Sequence, residues 1–239
     1  YRPGDEKLLA SLFEEVFHRP MSEDHWRWKL KTLPSPVENV AVAVDPDDRP
    51  VFQLAGIPCR YQLAGRDATV MVAVDAMTAP MYRRQGILKQ LGRELFESWR
   101  ASGVSMAIGL PNEQYNKAVH GWQPLFSLKW LIRPLQPERI LARRLKLRGL
   151  SRLGVAGRWW NWLWDRRESH ASRVRIRDVR AAGAEIDLLW SNCRHSVRTS
   201  VVRDSSWVNW RYLTAPYRRY KVVLAEQEGQ PVGYAAYYL

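Results

Sequence analysis

Residues 78–99 read TAPMYRRQGILKQLGRELFESW, directly after the apolar run ATVMVAVDAM (68–77). The run is apolar at successive positions, which predicts a strand covered on both faces. From about residue 85 the pattern changes period. Ile87, Leu88, Leu91, Leu95, Phe96 and Trp99 fall on one stripe of a helix over 85–101, while Lys89, Arg93, Glu94 and Glu97 lie elsewhere. A strand therefore ends, a short turn follows, and a helix opens at Gly86. Pro80 cannot extend a sheet ladder, so the chain must leave the strand there. The first backbone N–H groups of a helix have no intrahelical partner and carry partial positive charge. Gly86 removes the Cβ that would block a close approach, and Arg83 and Arg84 add forked cationic donors. Such a join suits a phosphate. The plain alternative is a helix with a glycine near its start and solvated arginines. Neither GxxxxGK[ST] nor GxGxxG is present.

Upstream, DEKLLASLFEEVF (5–17) spaces its apolar residues as a helix does. SEDHWRWKLK (22–31) starts with a Ser N-cap and an acidic first turn, a second helix. NVAVAV (39–44) and PVFQLAG (50–56) read as strands around the turn cluster DPDDRP. Downstream, VSMAIGL (104–110) reads as a short strand, PNEQYNKAVHGW (111–122) as a turn and short helix, and SLKWLIR (127–133) as a strand. RVRIRDV (173–179) is a further strand, followed by a helix over AAGAEIDLLWSNCRH.

The 239 residues carry a net charge of +13, which favours polyanionic partners: a phosphorylated cofactor, nucleic acid or an anionic membrane surface. An Arg-rich proteome would also give it. No apolar run approaches the ~18–20 residues of a membrane span. The N-terminal stretch is amphipathic and acidic, not a signal peptide. The chain does not begin with Met and reads as an excised piece. Cys59 and Cys193 lie in no CxxC pair, so a reducing cytoplasm fits and no zinc spacing exists.

HWRWKLKTLP (25–34) echoes WVNWRYLTAP (207–216), with Trp28 on Trp210 and Pro34 on Pro216 at an offset of 182. VAVAV (40–44) then falls on VVLAE (222–226), and RPVFQLAG (49–56) on QPVGYAAY (230–237) at an offset of 181. Constant order and spacing predict a duplicated unit. By this register the second copy stops short of its own Arg-Arg-x-Gly stretch, and the first lacks the strand that 173–179 supplies. Between the copies, residues 137–170 hold nine Lys/Arg against three Asp/Glu and include WWNWLW (159–164). They read as a basic helical connector. It could dock on a neighbouring domain, lie on an anionic membrane or stack on single-stranded nucleic acid; no nucleic-acid-binding motif supports the last.

T-x-P-x-x-R-R-x-G-[IL]-[LF] at a strand-to-helix join resembles motif A of the GNAT superfamily of acyl-CoA-dependent N-acyltransferases. The family pattern is [QR]-x-x-G-x-[GA]. Arg83 fills its first position and Gly86 its fourth. Leu88 replaces the final small residue, a departure familiar in the branch that includes the enhanced-intracellular-survival acetyltransferases. The resemblance covers about residues 1–133, and more weakly 173–239 as a partial second copy. It implies an α/β (α+β) fold, a mixed, mostly antiparallel sheet flanked by helices, followed by a partial second GNAT-like unit. It also implies acetyl-CoA or another acyl-CoA as co-substrate, and no metal. In such proteins the loop amides grip the pyrophosphate, which assigns Arg83, Arg84, Gln85, Gly86, Ile87 and Leu88. The preceding strand end pairs with the pantetheine arm, which assigns Ala76, Met77 and Thr78. The thioester lies in the wedge between that strand and 104–110, with Asn112 and Glu113 at the pantetheine end.

Acyl transfer by direct attack needs a base for the amine and an acid for the thiolate. The family's usual acid is a Tyr on the short helix after the fifth strand. Tyr115 is the candidate here, although alignment on the Gly-Trp places Lys117 at the related branch's Tyr position; His120 is a rival. Asp75 is the candidate base, with Glu14 and Glu15 as alternatives, and a paired strand-end carboxylate is the bland reading of Asp75. The domains expected are 1–136 (GNAT-like), 137–170 (connector) and 171–239 (partial second unit). The expected function is a cytoplasmic N-acyltransferase acting on a small-molecule or sugar amine, with the connector a candidate for contact with the inner membrane face. A non-catalytic acyl-CoA sensor or scaffold, and a basic membrane-surface-binding protein, are the alternatives.

Overall fold

The computed structural model describes residues 1–110, 122–125 and 174–238. The chain divides into two compact units, Tyr1–Trp122 with Arg175–Leu239, and Gln123–Val174. The helix expected within 111–122, the strand at 127–133 and the connector at 137–170 lie almost wholly outside the described residues.

Helix α1 (Glu6–Phe17) buries Leu9, Ala10 and Leu12 and ends on His18, left-handed at φ 54°. Helix α2 (Glu23–Lys31) starts as its sequence predicts: the Ser22 hydroxyl accepts the His25 N–H, and Glu23 and Asp24 lie in the first turn. Strands β1 (Val40–Val44), β2 (Pro50–Leu63), β3 (Arg66–Thr78) and β4 (Met106–Gly109) form one sheet in that order. Neighbours are antiparallel except β3 and β4, which are parallel. Parallel neighbours need a crossover, and helix α3 (Ile87–Ala101) supplies it. One face packs on α1 and α2, where Leu9, Ala10, Trp26 and Leu30 meet Val40 and Ala55. The other packs on α3: Leu95 and Trp99 are buried against Phe52, Leu54 and Met71, with Ile87, Leu88, Leu91 and Phe96 around them. The apolar stripe read from the sequence is therefore the one that packs. Gly56 lies under the Trp99 ring; a Cβ there would come within 2.6 Å of it. The mixed, antiparallel-dominated sheet with flanking helices is the fold class expected.

Strand β2 is longer than its sequence suggests, running through IPCRYQL as far as Leu63. Ala64 and Gly65, at φ 49° and 85°, make a two-residue hairpin turn that registers Leu63 on Arg66. Pro58 is tolerated because β1 pairs with β2 only up to Ala55 and the next strand on that edge begins at Tyr61. Strand β3 is fully covered at Val70 and Met71, but from Val72 to Ala76 it is only half-buried, less than an all-apolar run predicts.

The C-terminal part contributes β5 (Val174–Val179), α4 (Ala184–Cys193), β6 (Ser200–Val201) and α5 (Ser205–Val208). A π-helical turn at Asn209–Leu213 follows, then β7 (Lys221–Gln227) and β8 (Gln230–Tyr237). β5, β7 and β8 form a second sheet around Val179, Ile186, Val208, Val222 and Leu224. β6 joins the first sheet instead, pairing with Tyr61 and Gln62. Buried Gln62 donates to the Arg194 and Val197 carbonyls at 2.8 and 2.6 Å and accepts from Arg194 Nε at 3.0 Å. Arg60 pairs with Asp204. Trp28 and Trp210, matched by the sequence echo, stack at 5.0 Å, and each indole N–H donates to the other's carbonyl, at 3.0 and 3.1 Å.

The two cysteines differ. Cys59 is buried, which pushes its thiol up to about 12, whereas Cys193 is exposed. An alkylating reagent reacts with the thiolate. Native protein is expected to take up one equivalent of iodoacetamide at Cys193, and a second at Cys59 only after unfolding; peptide mass mapping checks both.

Candidate functional site

The join between β3 and α3 is a single 3-10 turn, Pro80–Tyr82, followed by Arg83–Gly86. Arg84 and Gly86 both have left-handed backbones, φ 64° and 81°. Among the described residues the backbone N–H groups of Arg84, Gln85, Gly86, Ile87 and Leu88 donate to nothing. The Gly86 carbonyl accepts the first helical bonds, from Lys89 and Gln90. Helices α1 and α2 place acids in their first turns, Glu6 in α1 and Glu23 and Asp24 in α2; α3 has none. No carboxylate of their own turn neutralises its amides. Arg83 Nε donates to the Thr78 carbonyl at 3.1 Å, which ties its guanidinium to the strand end, and the Gln85 side chain donates to the Met81 carbonyl at 3.2 Å. The arrangement is an open, cationic nest able to take a diphosphate.

Beside it, the β3–β4 ladder is short. It runs from Val70–Met106 to Ala73–Gly109, whereas β3 continues to Thr78. On the opposite side β3 stays paired with β2, Met77 on Gln53 and Thr78 on Phe52. Between the Ala55–Val74 and Gln53–Met77 pairs β3 carries one extra residue, a β-bulge, with Asp75 at φ 50°. From Val74 onward the edge of β3 that faced β4 is unpaired among the described residues, which suits an extended ligand added as a strand.

Residues 1–123 match the profile of the acetyltransferase (GNAT) domain. The chain belongs to the GNAT acetyltransferase family. Two solved structures share its fold: a GCN5-related N-acetyltransferase from Anabaena variabilis, with TM-score 0.62, and a probable N-acyltransferase from Enterococcus faecalis, with TM-score 0.55. Each is 13% identical over 98% of this chain, and the chain spans about half of their length, 52% and 53%. The sequence matches no curated protein significantly.

In this GNAT chain Asp75 is not free. Lys29 Nζ reaches both of its oxygens at 2.7 Å. Lys29 also lies 5.9 Å from the Phe13 ring. His25, one turn earlier on α2, stacks on Tyr217 at 4.5 Å. Burial, and then the Lys29 ammonium, hold its imidazole below the usual histidine range, against the opposing pull of Asp75. Lys29 was legible in principle: it lies three residues after buried Trp26 and next to buried Leu30, and a lysine turned toward a core needs an acid. Glu14 accepts the Met21 N–H at 3.1 Å and lines an open cleft of about 450 Å³ with Glu23, Asp24 and Lys7. Glu15 is exposed. Tyr115, Asn112, Glu113, Lys117 and His120 lie outside the described residues. Among the described residues no group of three His, Cys, Asp or Glu side chains is placed to hold a metal ion, and no helix is long and apolar enough to cross a membrane.

Proposed function

We propose that this GNAT chain is an acyl-CoA-dependent N-acyltransferase of the tandem type, similar to the enhanced-intracellular-survival branch, acting on a small-molecule or sugar amine. The observation that carries the reading is the pairing of five amides at Arg84–Leu88 that have no partner among the described residues with a strand edge that is likewise unpaired there from Val74. The amides of Arg84 to Leu88, with the guanidinium groups of Arg83 and Arg84, hold the diphosphate of CoA. The backbones of Ala76, Met77 and Thr78 bind its pantetheine arm, with Asn112 and Glu113 at the far end. Bound acyl-CoA supplies the thioester. As the amine nitrogen bonds to the thioester carbon and the C–S bond breaks, a backbone N–H of the opened β3 edge would face the carbonyl oxygen, Asp75, still paired with Lys29, would receive the amine's proton through water, and Tyr115 would give a proton to the departing thiolate. Residues 171–239 are a partial second unit, reached through the basic connector.

Two titrations test this. Isothermal calorimetry with CoA is expected to show one site per chain. Release of free CoA thiol from acetyl-CoA is then expected to depend on an added primary amine. Absence of CoA binding removes the reading; binding without amine-dependent release leaves a sensor or scaffold.

A further inference from the structure

The ion pair between α2 and β3 has a place in this site that the loop and the strand edge do not explain. Asp75 is the bulge residue of β3, and its left-handed backbone is one that non-glycine residues adopt at a cost. Such conformations persist only where the surroundings hold them. The surroundings here are Lys29: two contacts of 2.7 Å between side chains that are 19% and 9% exposed, with Phe13 and His25 close by. The bulge also marks where β3 loses β4, since the last pair of that ladder is Ala73 with Gly109, two residues before Asp75. α2 itself is braced nearby, because Trp28, next to Lys29, exchanges hydrogen bonds with Trp210. A lysine anchored to a braced helix thus grips the one residue of β3 that breaks the ladder register against β2.

We propose that Lys29 is a positioning residue: through Asp75 it holds the bulge that turns the β3 edge toward the pantetheine arm. The proposal rests on the acyl-CoA reading above. It separates two parts of the ligand. The diphosphate meets the Gly86 loop, which Lys29 does not touch, and the arm meets the edge that Lys29 sets. ADP carries a diphosphate without the arm and so reports on the loop alone.

Three variants of the full chain test it: Lys29→Met, Lys29→Arg and the double variant Lys29→Met/Asp75→Asn. The double variant removes both charges, so it stays informative if Lys29→Met alone leaves a buried carboxylate that prevents folding. Lys29→Met and the double variant are expected to weaken CoA binding by ~10-fold, the size of one charge-assisted hydrogen bond, and to leave ADP affinity unchanged. Amide hydrogen exchange over residues 72–80 of the ligand-free variants is expected to quicken. Lys29→Arg is expected to restore most of both. Folded variants with wild-type CoA affinity and wild-type exchange overturn the proposal, as does equal weakening of CoA and ADP. Failure of the wild-type chain to bind CoA overturns the acyl-CoA reading and this role together, and is told apart from failure of the role alone because the latter leaves wild-type binding intact.

Discussion

Gly86→Asp is expected to abolish the affinity for CoA at working concentrations while leaving the chain folded. Position 86 is left-handed, at φ 81°, and a Cβ there would meet nothing within 4 Å. Aspartate and asparagine are the side-chain-bearing residues that tolerate this backbone best, so the Tm should fall by no more than ~4 °C. A carboxylate would stand beside the five amides and two arginines that are proposed to hold the diphosphate. Losing one or two charge-assisted hydrogen bonds and adding a like charge should weaken CoA by ~100-fold or more. Gly86→Asn has the same shape without the charge and should weaken it far less. Equal losses in the two variants would show that the Cβ, not the charge, blocks the ligand; no loss in either would remove the phosphate from this loop. Calorimetry with CoA and thermal unfolding of both variants provide the measurements.

The largest expected effect on stability is at Trp26. The side chain is fully buried between α2 and the sheet, stacks on Tyr1 at 5.2 Å, and donates to Gln53 Oε1 at 2.8 Å. Gln53 is itself fully buried and its Nε2 has no partner among the described residues, so Trp26 is the one hydrogen-bond partner its side chain has there. Trp26→Ala opens a large cavity, at ~3–5 kcal/mol, and strands the Gln53 carbonyl, at ~1–3 kcal/mol more. That is a large part of a typical domain's ~5–15 kcal/mol, and the Tm should drop by ~10 °C or more. Trp26→Phe keeps most of the volume and loses only the donor, so it should cost less. Trp26→Phe combined with Gln53→Met replaces both polar partners by apolar groups and should be more stable than Trp26→Phe alone. Chemical denaturation of the four proteins resolves these differences. If the double variant is no better, the Gln53 amide is satisfied in some other way.

What could be read from the sequence was what is local. The α3 stripe, the Ser22 cap and the glycine-led join each lie within a few neighbouring residues, where spacing and backbone chemistry act directly. The far half of β2 was not legible. Pro58, Arg60 and Gln62 argue against a strand, and they are accommodated because no strand among the described residues pairs with one edge of β2 at Pro58 and because β6 arrives from about 140 residues away to pair with Gln62. Asp75 stands out in the sequence as a charge in an apolar strand; its partner Lys29 is harder to read, since a lysine among tryptophans on a short helix also looks like a snorkelling surface residue. The bulge that joins them leaves no mark in the sequence, because one extra residue in a uniformly apolar run changes no pattern. Trp28 and Trp210 were paired by alignment; that they also touch is a fact of tertiary packing.

The seam between the first sheet and the C-terminal lobe bears on how this protein can be cut. The family profile ends at residue 123, yet the compact unit takes in residues 175–239 as well. A fragment trimmed at 123 would lose the short strand on Tyr61 and Gln62, the carbonyls that satisfy a buried amide, and the indole that caps Trp28. It would present a bare strand edge beside a naked tryptophan, a surface made for self-association. The smallest piece that keeps this surface covered therefore extends past residue 123, where sequence recognition stops.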